Sequence, residues 1–158
     1  MHIPVHLLQQ CYAHGRRAYP EEGCGVLSGP ADDADTVTAF HPMQNVINQL
    51  HATDPERFPR TGKDGYVFDP AEHMRLEKRL RAEGQEIRAI VHSHVDVGAY
   101  FSQEDITQAL WGDGPRYPGV VYLVCGITAD GPDGAIIAAF NEQTGTFDET
   151  RIDPPAGG

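Results

Sequence analysis

The sequence predicts an α/β fold, in the form of an α+β sandwich: a mixed sheet with helices packed on it. Three observations carry that expectation. Segments with helical spacing are interspersed among short apolar strands. Two strands close the chain. Its 158 residues suit one domain with one sizeable core, not two.

The first element is a helix. Pro4 suits a first helical turn, and Leu8, Cys11 and Tyr12 share a face at helical spacing. The helix ends before Pro20, because a residue ahead of proline avoids the helical region. Residues 23–29, GCGVLSG, form a short apolar run bounded by glycines and read as a buried strand. Thr36 to Pro42 alternates and reads as a second strand. Residues 42–64 show no clean period and hold Pro42, Pro55 and Pro59, so a loop is expected, of a length that is often functional. Tyr66 to Phe68 is a brief strand. Asp69-Pro70-Ala71-Glu72 supplies a cap, a proline at the first helical position and an acid at the capping-box position. That helix runs to about Glu83, with Gly84 as its stop. Glu86 to His92 is strand-like, Ser102 to about Trp111 is helical, and Val120 to Ile127 is the strongest buried-strand signal. Ala135 to Phe140 and Thr144 to Ile152 form a hairpin around Gly145. Residues 1–152 therefore make one domain, and 153–158, DPPAGG, a short C-terminal tail.

Composition narrows the function. Twelve basic and 23 acidic residues give a net charge of −11 and a pI near 5.0. A nucleic-acid backbone or an anionic membrane would repel such a chain, so neither is expected as a partner. No segment approaches the roughly 18 apolar residues of a membrane helix. The opening MHIPVHLLQQ lacks the basic region and apolar run of a signal peptide, so the expected compartment is the cytoplasm. Three cysteines without a Cys-x-x-Cys exclude a disulfide scaffold and a cysteine-rich zinc site. Eight histidines remain, so any metal would be held by imidazole and carboxylate.

The informative stretch is IVHSHVDVGAYFSQEDI, residues 90–106. His92 and His94 lie two apart on a strand, so both imidazoles point to one face while Val91 and Ser93 point to the other. Ser102 is placed to cap the next helix, with Asp105 in its first turn. A loop over 95–101 can fold that turn back over the strand end. Two histidines and an aspartate then make three ligands, which leaves zinc's fourth position open, as in catalytic sites. Ser102-x-x-Asp105 is equally a plain capping box that serves only the helix. The whole pattern, however, has a chance occurrence on the order of one in a thousand in a chain of this composition.

His92-Ser93-His94, the seven-residue gap, Ser102 and Asp105 resemble the signature of the JAMM, or MPN-plus, zinc metalloprotease family at every defining position. That family also carries a glutamate ahead of a Cys-Gly and apolar strand. Here Glu22 stands two before Cys24-Gly25 and matches it better than Glu21. The resemblance covers most of the chain. It implies a mixed, largely antiparallel sheet packed between helices, and one Zn2+ per chain on His92, His94 and Asp105. Glu22 would be the general base and Ser102 the donor to the oxyanion. Many relatives have proline after the second histidine and before the serine; Val95 and Phe101 stand there in this chain. Members cut peptide or isopeptide bonds, often after a C-terminal Gly-Gly. The small prokaryotic type acts on ubiquitin-like or sulfur-carrier proteins, the partners expected here. A side-chain-free Gly-Gly tail can thread a narrow groove, for which residues 42–64 and 111–117 are candidates.

Other readings are weaker. A metal-free MPN-type binding or scaffold module would share the fold, but such modules lose ligands that this chain keeps. His92-x-His94-x-Asp96 resembles the start of a metallo-β-lactamase-type motif, yet Val97 replaces its next histidine and no histidine follows His94. Asp96 is then a solvated loop acid or a supporting partner of the site. Cys24, inside an apolar strand, reads as buried and inert. The Gly157-Gly158 end reads as a plain flexible tail. Its sharper alternative is product mimicry in a neighbouring molecule's site, which an unchanged peptidase rate after deleting both residues would remove.

Overall fold

The structure, a computed structural model, describes residues 1–152; the expected tail and its Gly-Gly end lie outside the described residues. The elements in order are α1 (Val5–Ala18), β1 (Cys24–Pro30), β2 (Ala39–Met43), α2 (Ile47–Thr53), α3 (Pro70–Ala82) and β3 (Gln85–Val95). There follow α4 (Gln103–Ala109), β4 (Leu110–Trp111), β5 (Gly114–Pro115), β6 (Val121–Thr128), β7 (Gly131–Asn141) and β8 (Thr146–Ile152). Six strands form one sheet in the order β2-β1-β3-β6-β7-β8, and β4 and β5 form a small separate ribbon. Every neighbouring pair in the main sheet is antiparallel except β3 with β6. The mixed, largely antiparallel sheet packed between helices is thus the observed architecture.

Strand alternation divides the core into two layers. Leu123, Cys125 and Ile127 of β6 pack with Leu7, Leu8 and Cys11 of α1. Tyr122 and Val124 face the other way, toward Leu76 and Leu80 of α3. Each fully buried leucine on either face contributes about 1.5–3 kcal/mol by removal from water. In β3, Ala89 and Val91 belong to the α1 layer and Ile90 to the α3 layer. Two-residue periodicity then sends His92 and His94 toward the α3 and α4 side.

The single parallel pair brings the site together. Parallel neighbours cannot be joined by a tight turn, so the chain leaving β3 at Val95 must cross the sheet face before entering β6. α4 and the β4–β5 ribbon make that return. Gly126 lets the connection lie close: it pairs with His94, and a Cβ on it would meet the Asp133 carbonyl oxygen at 2.6 Å and the Ala99 nitrogen at 3.1 Å. Gly126→Ala is therefore expected to lower stability by about 1–3 kcal/mol, as overpacking does, and to weaken metal binding with it. Denaturant midpoints and a metal titration of the variant check this.

Several elements differ from expectation. The 42–64 loop contains α2, whose large apolar residues, Ile47 and Leu50, give too little periodicity to read. Tyr66 to Phe68 makes only one bridge, Asn45 with Phe68, because Tyr66 turns inward onto His92. β2 starts at Ala39, since residues 36–38 stay outside the ladder, although Thr38 still donates to the Ser28 carbonyl. α4 stops at Ala109, where the chain enters the β4–β5 ribbon. Pro4 is the N-cap of α1 and not its first helical residue.

Candidate active site and metal centre

The sheet register places the first three side chains. Cys24 of β1 lies opposite His92 of β3. Pairing continues one residue past β1: the Gly23 N–H donates to Ser93 Oγ at 2.8 Å, and the Ser93 N–H donates to the Gly23 carbonyl at 2.9 Å. Glu22 therefore stands opposite His94, and alternation gives Glu22, His92 and His94 a common face. All three are buried, and one ligand atom from each lies within 4.8 Å of the others.

Asp105 completes the cluster from α4. The Nε2 atoms of His92 and His94 are 3.2 Å apart. Asp105 Oδ1 lies 3.2 Å from His92 Nε2, and Oδ2 lies 3.2 Å from His94 Nε2. A tetrahedral zinc with bonds of about 2.0–2.1 Å requires donors about 3.3–3.4 Å apart, so this donor set fits such an ion in both chemistry and spacing. The capping box is also present: the Asp105 N–H donates to Ser102 Oγ at 3.1 Å, and the Ser102 N–H donates to Asp105 Oδ2 at 2.9 Å. Helix cap and donor cluster are thus one arrangement, and the cap fixes the carboxylate that faces both rings. Ser102 Oγ acts there as an acceptor, so its own proton remains available to donate.

Further contacts hold the frame. Tyr66 stacks on His92 with centroids 4.5 Å apart, and Tyr100 meets His94 edge-on at 4.9 Å. The Nδ1 atoms of both histidines are buried without a hydrogen-bond partner among the described residues, and the aromatic rings pack against both imidazoles. The Glu149 carboxylate, on β8, accepts from the Phe101 N–H and ties the loop ahead of Ser102 to the sheet edge. Arg60 reaches Glu104 at 3.8 Å, linking the 60–65 segment to α4.

Burial and charge set the protonation states. Burial pushes the Asp105 pKa up, but its bonds to His92 and His94 outweigh that and hold it well below the usual carboxylate range. Burial lowers the His92 pKa against the pull of Asp105, which favours the neutral imidazole that ligates metals. Glu22 is pushed up to about 8 by burial, then by Asp105 and Asp64, with Arg60 opposing. Between the ordinary value of 4.5 and about 8, folded metal-free protein keeps a proton that the unfolded chain has released. Its stability therefore falls as pH rises through that window. Glu22→Gln has no such proton to lose, so in chelator its denaturant midpoint should gain on the wild type from pH 5 to pH 8.5. A constant difference would contradict the assignment.

Asp96 takes no part in the cluster. It sits at φ 62°, which turns it off the strand, and its carboxylate accepts from Tyr19 Oη at 2.9 Å. The carboxylate beside the two histidines is that of Asp105, not the one two residues on, so the metallo-β-lactamase-like spacing does not form a cluster. The Cys24 thiol is buried against the Met43 carbonyl, and burial raises its pKa far above the usual range, so it is no nucleophile. A cleft of about 480 Å³ is lined by Asp105 together with Arg57, Phe58, Arg116 and Tyr117. Both segments proposed for a groove contribute to it. Tyr66 was not legible as a site residue, since nothing in its spacing marks it.

A family model described as prokaryotic homologs of the JAB domain matches residues 4–137, the span that contains every residue of the cluster. The chain belongs to this JAB family. JAB proteins typically depend on a metal, and the buried Glu22, His92 and His94 group is able to hold one. The Desampylase of Haloferax volcanii is 36% identical over 132 residues, covering 84% of this chain and 75% of that protein. The "Probable TtuB-protein conjugate cleaving protease" of Thermus thermophilus is 32% identical over 129 residues, 82% of this chain and 74% of that one. The CysO-cysteine peptidase of Mycobacterium tuberculosis is 31% identical over 107 residues, 68% and 64% respectively. A solution structure from Salinibacter ruber shares the fold of this JAB chain, with a TM-score of 0.65 at 24% identity over 99% of this chain and 93% of that one. Among the described residues, no helix is long and apolar enough to cross a membrane.

Proposed function

We propose that this chain is a zinc-dependent peptidase or isopeptidase that cleaves after the C-terminal Gly-Gly of a ubiquitin-like or sulfur-carrier protein. The observation that carries this reading is the 3.2 Å spacing of His92, His94 and Asp105 with the buried Glu22 carboxylate beside them. The names of the three relatives, all cleaving enzymes, support the substrate class.

His92, His94 and Asp105 would hold the ion. Once bound, zinc supplies Lewis acidity and brings the pKa of water toward 7. Glu22, close to both rings, takes the water's proton and later passes it to the leaving amine nitrogen. The Ser102 hydroxyl donates to the oxyanion that develops as the carbonyl is attacked. Arg57, Phe58, Arg116 and Tyr117 line the cleft through which an extended tail would reach the cluster.

Ser102→Ala separates the two duties of that hydroxyl. Losing the cap should cost about 1 kcal/mol of stability. Losing the oxyanion donor should lower kcat about 10²–10³-fold. Chemical denaturation and steady-state kinetics measure the two effects separately. The substrate class is tested by incubating the zinc-loaded protein with Gly-Gly-ended carriers bearing C-terminal extensions or isopeptide-linked partners. Mass spectrometry should find products ending in Gly-Gly. Uncut carriers throughout would remove the reading.

A further inference from the structure

Asn45 is fully engaged in a way its surroundings make consequential. Its Nδ2 donates to the Glu22 carbonyl at 3.0 Å and to the Gly65 carbonyl at 3.1 Å. Its Oδ1 accepts from the Ile47 and Val67 N–H groups, each at 3.1 Å. A carboxamide offers two donor protons and two acceptor lone pairs, so all four positions are used. These partners belong to three segments: the residue proposed as the base, the start of α2, and the 65–67 stretch.

The placement of Glu22 explains why that matters. Gly23 is the last residue tied to β3, so the sheet ladder does not hold the Glu22 backbone. The Glu22 N–H donates instead to the Gly62 carbonyl at 2.6 Å, and its carbonyl accepts from Asn45. Tyr66, which stacks on His92, lies between the two residues that Asn45 pins on the other side. One side chain thus spans the base and the aromatic wall of the histidine site. Aspartate lacks the donors, and glutamine is one methylene too long for the same reach.

We infer that Asn45 is a positioning residue that aims the Glu22 carboxylate at the His92–His94 pair. The inference rests on the peptidase reading only for its kinetic consequence. Misplacing a reacting group by about 1 Å can cost 10²-fold in rate.

The test uses Asn45→Ala and the near-isosteric Asn45→Asp in the full chain. Both should keep one zinc per chain and a KM within about threefold, while kcat falls about 10–100-fold. Introduced on a Glu22→Gln background, either change should lower the residual rate no further. A crystal structure of Asn45→Asp should show the Glu22 carboxylate withdrawn from its 4.8 Å grouping with the histidines. An unmoved Glu22 in that structure would overturn the inference, as would an equal further loss of rate on the Glu22→Gln background. The crystallographic arm does not depend on cleavage, so its failure and a failure of the peptidase reading are distinguishable.

Discussion

Glu22→Gln is expected to retain one zinc per chain and to lose about 10²–10⁴-fold in kcat, the range that general acid–base catalysis contributes. The substitution is nearly isosteric, and the His92–His94–Asp105 triangle does not need Glu22 to close. Glu22 is buried, and burial with the nearby Asp105 and Asp64 charges raises its proton affinity in the metal-free protein. A cation bound beside it would favour the ionised form again, as an opposite charge within a few ångströms does. Loss of turnover with metal retained would assign the base. Unchanged turnover would place the base elsewhere.

Asp105→Asn should act in the opposite order, losing the metal first and activity with it. The two Asp105 oxygens lie 3.2 Å from the Nε2 atoms of His92 and His94, and its carboxylate carries negative charge that offsets a divalent cation. Its replacement should weaken zinc binding by more than the roughly 10–100-fold typical of losing an outer partner of a metal ligand. The metal-free protein offers a second readout. The folded-state pKa of Asp105 is depressed, so its stabilising contribution is present at neutral pH and lost as pH falls below about 4. The variant should therefore be less stable than the wild type at pH 7 and converge on it in acid. Isothermal titration with zinc and denaturant curves at two pH values measure both effects.

The parts of this site that were legible in the sequence are those set by period and short spacing. His92 and His94 share a face because strand side chains alternate. Glu22 was singled out only through the family resemblance, and the register then puts it on that face because the same parity continues past Cys24. Ser102 and Asp105 were legible as a cap, and the fold shows that capping and donor placement are one geometry. The unread parts depend on long-range approach. Tyr66 reached His92 only because the 60–68 segment folds over the sheet face, which no local pattern encodes. Asn45 gains its meaning from Glu22, Gly65 and Val67, all about 20 residues away in sequence. α2 was hidden because seven residues with only Ile47 and Leu50 as large apolar side chains give no stripe to detect. Gly126 likewise reads as an ordinary strand glycine until the connection after β3 is seen lying against it.

The central claim is that His92, His94 and Asp105 form a metal centre and not merely a capped helix against two histidines. Elemental analysis of the purified protein tests it most directly. One tightly bound zinc per chain, lost in the Asp105→Asn variant and kept in Glu22→Gln, is the predicted result. A wild-type chain that takes up far less than one equivalent of zinc, even when the metal is supplied, would contradict it.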